Sequence, residues 1–203
     1  DPDYAPLPDV LEEMKQLRPL FTSGTRLIDR DATWERITAA LPGASLAHFA
    51  CHGDFFPRRL ADSGLLLQDR WLTIRDISGM SLGAMELAVL HSCWGASAAI
   101  LPGGTQVGLP FALIDRGVQC VIASLWDVGA STSIRLVSET YAGAAESGAA
   151  GALAEVQRRW SEDAPMVDWA GFTVYKGAVP PRCWVRRLLV GLAALRHLYS
   201  RAA

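Results

Sequence analysis

The run ELAVLHSCWGA (86–96) decides how this chain is read. It opens as a continuous apolar stretch, the pattern of a strand buried on both faces. It then breaks at Cys93 into the small residues Gly95, Ala96 and Ser97. A thiol where a core strand ends projects over the sheet edge, and open α/β sheets carry their chemistry at the carboxyl ends of their strands. One strand earlier, LAHFACHG (46–53) follows the same plan with an imidazole, apolar through Ala50 and then reaching His52 and the permissive Gly53. A thiol and an imidazole at the mouths of two neighbouring strands form the minimal dyad for nucleophilic catalysis by cysteine.

Working outward, the flanking pattern alternates strands with helices. Pro8 and Asp9 start a helix with Val10, Leu11, Met14 and Leu17 at helical spacing, and 25–28 is a short strand candidate. Asp31 is expected to cap a helix bearing Trp34, Ile37 and Leu41, stopped by Pro42 and Gly43. A strand over 45–51 follows, then a polar loop over 53–63 and a short hairpin from 64–68 with Trp71 and Leu72. Thr73 with Asp76 three positions on is a capping box for one helical turn. Beyond the strand at 86–91 the pattern predicts a helix over 106–115 and a buried strand over 118–126. Asp127 or Ser131 then caps a helix carrying Ile134, Val137 and Tyr141; Gly148 interrupts, and an alanine-rich helix runs to Trp160. A last strand covers 169–177. Such alternation implies an α/β fold, a mostly parallel sheet with helices on both faces.

Residues 1–177 read as one domain, and 178–203 as a separate basic amphipathic helix. From Trp169 to the end there are six basic residues and no acidic one, while Leu188, Leu192, Leu195 and Tyr199 share a helical face. That helix packs on the domain or docks to a partner or an anionic surface. A formal charge of −2 argues against nucleic acid as a direct partner, and the apolar run at 188–195 is too short to span a bilayer. Asp1, Pro2 and Asp3 do not resemble a signal peptide, and Cys51, Cys93, Cys120 and Cys183 lack CxxC pairing. Reduced thiols in a cytoplasmic protein fit that pattern.

The dyad chemistry assigns each residue a task. His52 raises the thiolate fraction of Cys93 and returns the proton to the leaving amine. The backbone N–H groups of Gly53 and Cys93 are the natural oxyanion hole, and Gly53 leaves the substrate carbonyl unobstructed. Competing chemistries find less support. His48 and His52 stand four apart, but on a strand, so no metal is expected. PGGTQVG (102–108) lacks the Lys-Ser/Thr ending of a phosphate-binding loop, and Ser92 lies in no GxSxG elbow. No cofactor is expected. Cys51 and Cys120, inside apolar runs, read as inert core thiols.

Five segments in order, LAHFACHGDF, SGLLLQDRWLTIRDI, ELAVLHSCWGA, VGLPFALIDRGVQCVIASLWDV and DWAGFTVYKG, closely resemble the CHAT domain. The resemblance runs from about Leu7 to Gly177 and implies a caspase-like (caspase–hemoglobinase) fold related to separase and metacaspases. It also implies peptide-bond hydrolysis by a His–Cys dyad without metal or nucleotide. His52 in ACHG takes the place of the family's catalytic histidine, and Cys93 in LHSC that of its nucleophile. ASLWDV resembles the segment that walls the pocket for the residue before the cut, making Trp126 and Asp127 candidate substrate-binding residues. A carboxylate at Asp127 favours a basic residue there; its other reading is a helix cap. Asp54 competes for the pocket role and otherwise reads as a solvated loop carboxylate. Trp94 departs from the family's acidic or small residue after the nucleophile, and narrows the cleft or forms part of a pocket wall. The family's opening strand precedes LPDVLEEM, so Asp1-Pro2 reads as the end of a strand that lies upstream. By analogy the resemblance extends to a bacterial antiviral defence protease, gated by an upstream sensor or activator protein. Its candidate substrate is a specific partner such as a gasdermin-like pore former. The alternative is a catalytically inert caspase-fold scaffold or docking module.

Overall fold

Strictly apolar strands become the inner strands of the sheet because both of their faces must be covered. The computed structural model describes residue 4 and residues 7–21 and 23–177; the expected helix at 178–203 and the strand end at Asp1-Pro2 lie outside them. In chain order the elements are α1 (Pro8–Leu17), α2 (Trp34–Ala40), β1 (Leu46–Ala50), β2 (Gly53–Asp54), β3 (Gly64–Leu66) and β4 (Trp71–Thr73). Next come α3 (Ile74–Ser78), β5 (Leu87–His91), β6 (Ala98–Ile100), β7 (Gln106–Gly108), α4 (Leu109–Asp115) and β8 (Cys120–Ser124). The last are α5 (Ala130–Trp160), α6 (Met166–Trp169) and β9 (Phe172–Lys176).

The main sheet has the order β1-β5-β8-β9, parallel across its first three strands and antiparallel between β8 and β9. Alternation along β5 splits the core in two. Ala88 and Leu90 face a cluster built from Ile74, Ile77, Leu109 and Leu113 of α3 and α4. Leu87 and Val89 face the other, built from Leu17 of α1 and Leu136, Val137, Tyr141 and Leu153 of α5. Helices therefore cover both faces, as expected. A small antiparallel sheet, β2-β3-β4, continues directly from the end of β1.

Several local expectations change. Residues 25–28 pair with no strand, and Asp31 lies in a 3-10 turn. The N-cap of α2 is Thr33, and the Trp34 N–H donates across the chain to Asp69 Oδ1 at 2.8 Å. Residues 106–108 form a strand in place of the first helical turn. They pair with β6 in a hairpin whose turn passes through Gly103 and Gly104 at φ +91° and +85°. The N-cap of α5 is Gly129, so neither Asp127 nor Ser131 caps it. Two readings hold in detail: the Thr73–Asp76 capping box forms at the head of α3, and Gly148 breaks α5 with φ 70° and ψ 164°.

Candidate active site

Register sets the site. β1 and β5 run parallel with Ala50 opposite His91, so His52 and Cys93 each stand two residues past that last pair, at one edge of the sheet. The chain turns at both places. After Cys93 the Gly95 N–H donates to Ser92 O at 3.0 Å, and the Ser124 hydroxyl donates to that same carbonyl from the next strand. Trp94 sits in the left-handed region at φ 59° and is 59% exposed. A bulky residue there costs about 1–2 kcal/mol, and such strain concentrates at functional turns.

Gly53 bridges the two strand ends. A Cβ at this position would lie 2.7 Å from Cys93 O and 2.9 Å from Ser92 Oγ, so only glycine permits the approach. The Leu66 N–H donates to His52 O at 2.8 Å, which makes Gly53 and Leu65 a non-hydrogen-bonded pair of the β2–β3 ladder. The ladder thus leaves the Gly53 N–H unused, beside the nucleophile turn.

A family model for the CHAT domain matches residues 2–177. The chain belongs to the CHAT domain family. No curated protein matches it. The CHAT family is a caspase-like family of cysteine proteases, and the mixed sheet with β1, β5 and β8 in parallel accords with that fold. No helix among the described residues is long and apolar enough to cross a membrane.

Within this CHAT domain the pKa of the Cys93 thiol lies above its ordinary value. Burial pushes the half-buried Cys93 thiol up, and the negative charge of Asp127 adds to this; its own backbone amide opposes both. Burial drives Cys51 up to about 12 and, against the opposing charge of Lys176, Cys120 up to about 11, which suits the inert roles expected of them. Asp127 is exposed just beyond the end of β8, and its charge reaches Cys93. Trp126 is tied elsewhere, its indole N–H donating to Val167 O at 3.2 Å beside α6. Asp54 is not a solvated loop carboxylate. It is half-buried, accepting from the Phe55 N–H at 2.7 Å and from the Tyr4 hydroxyl at 3.1 Å.

Two features escaped the sequence reading. Tyr4 packs its ring 5.1 Å from the His52 ring and 5.6 Å from Trp71, and no periodicity around residue 4 signals that contact. Glu13, His48 and His91 converge beneath the sheet. Spacing sets His48 beside His52, whereas in the fold His48 and His91 of the next strand both bond Glu13.

Proposed function

We propose that this CHAT domain is a cysteine endopeptidase in which Cys93 is the nucleophile and His52 the general base and acid. The observation that carries this reading is the shared register of β1 and β5, which gives His52 and Cys93 equivalent positions past Ala50 and His91. His52 accepts the thiol proton, and the sulfur attacks the scissile carbonyl carbon, forming a C–S bond. The negative charge moves to the carbonyl oxygen, where the Gly53 and Cys93 N–H groups are the proposed donors. The C–N bond then breaks, and His52 returns the proton to the departing amine. Water activated by His52 hydrolyses the thioester and restores the thiol.

Asp127 supplies the specificity argument. Its charge raises the Cys93 thiol in the free protein. A basic substrate side chain laid against Asp127 would neutralise that charge and ease thiolate formation. The preferred substrate is therefore a protein segment with Arg or Lys before the cut. Trp94, exposed beside the nucleophile, is the proposed groove wall. Trp126 has less claim to the pocket, since its ring is tied to Val167. The family resemblance supports a cytoplasmic, partner-gated defence role with a gasdermin-like substrate.

An inert scaffold is the second reading, favoured by the raised thiol and by the Tyr4 ring lying against His52. Cleavage of a peptide library separates the two. The protease reading expects cuts after basic residues that vanish in Cys93→Ala while the fold persists; a Cys93→Ala chain that still cuts would overturn it.

A further inference from the structure

On the face of the sheet covered by α1 and α5, three side chains of metal-ligating type meet. Glu13 is the charged residue on the buried side of α1, one turn before Leu17, and is 1% exposed. It accepts from both strands at once: His48 Nε2 lies 3.1 Å from Oε1, and His91 Nδ1 lies 2.8 Å from each carboxylate oxygen. The side chains of His48 and His91 are 7% and 17% exposed. Among the described residues no arginine or lysine pairs with Glu13. On this apolar face, shared with Leu17, Val89 and Tyr141, a buried carboxylate needs a counter-charge, either a proton on an imidazole or a metal ion.

The geometry points to a divalent transition-metal site formed by Glu13, His48 and His91, with Zn2+ the ion these donors suit. One carboxylate and two imidazoles are a zinc ligand set, and their donor atoms all lie within 4.8 Å of one another. Bonds of about 2.0–2.2 Å to a tetrahedral ion place ligand atoms roughly 3.4 Å apart, so the contacts of 2.8–3.1 Å open by only a few tenths of an ångström. The outer support is built as well. The Tyr141 hydroxyl lies 2.9 Å from His48 Nδ1 and can accept the N–H that a metal-bound tautomer carries there. Water entering beside the less buried His91 completes the tetrahedron. The ion ties α1 to β1 and β5, four residues before His52 and two before Cys93. The site stands apart from the proteolytic reading and survives its failure.

The test uses the full chain carrying Cys93→Ala, which removes the dyad thiol as a competing ligand. Titration with Zn2+ is expected to bind one ion per chain and raise the melting temperature. Co2+ is expected to give the visible bands of a tetrahedral N/O site without a thiolate charge-transfer band. Tyr141→Phe is expected to weaken the affinity about 10–100-fold. His91→Gln is expected to abolish binding; should that variant not fold, His48→Gln takes its place. Absent tetrahedral bands, no thermal shift with Zn2+, or equal binding in the folded histidine variant would each overturn the proposal.

Discussion

Asp127 and Cys93 are coupled through charge, so the effect of one on the other has a definite sign. Burial and the Asp127 carboxylate both hold the thiol proton on. Removing that negative charge in Asp127→Asn lowers the thiol pKa. The pH profile for alkylation of Cys93 by iodoacetamide is therefore expected to move to lower pH, while cleavage after Arg or Lys falls by up to about fivefold, the upper worth of one screened charge pair. A profile that stays in place or moves upward would show that Asp127 does not act on the thiol. Residue types made His52 and Cys93 legible, since each ends an apolar strand. The partners of His48 were not legible, because Glu13 and Tyr141 lie 35 and 93 positions away in the chain. The fate of Asp54 was equally hidden, for nothing near it announces Tyr4.

At the scale of elements, local chemistry was readable wherever it was contained within a few residues. Thr73 and Asp76 bond reciprocally, the Asp76 N–H donating to Thr73 Oγ1 at 3.2 Å and the Thr73 N–H to Asp76 Oδ2 at 2.9 Å. Thr73→Ala leaves an N–H at the head of α3 without its acceptor and is expected to cost about 1 kcal/mol. A denaturant midpoint unchanged by that substitution would contradict the cap. By contrast, α2 takes its first acceptor from Asp69, which spacing around Asp31 could not reveal. β7 replaces the start of the helix expected from residue 106, because GGTQVGLP carries its turn glycines without a long apolar strand on either side. Asp127 has the residue type of a cap, yet the N-cap of α5 is Gly129, two residues later.

The described residues are organised around one main sheet with a core on each face, and β5 and β8 contribute to both. Disturbance of either core should therefore be felt across the fold. Leu136, fully buried between α5 and the sheet, is expected to cost about 2–5 kcal/mol on Leu136→Ala. The loss should appear as one cooperative transition, with near-UV and far-UV signals moving together. Two separated transitions would show that the faces are independent. This architecture was the most legible level of all, since continuous apolar strands alternating with helices allow few other arrangements. It also carries the functional claim, because parallel β1 and β5 bring two strand ends to one edge. Labelling with a peptide acyloxymethyl ketone bearing a basic residue, mapped by mass spectrometry, tests that claim most directly. The account predicts modification of Cys93, with Cys51 and Cys120 untouched, and its loss in His52→Ala. Equal labelling of Cys93 with and without His52 would contradict it.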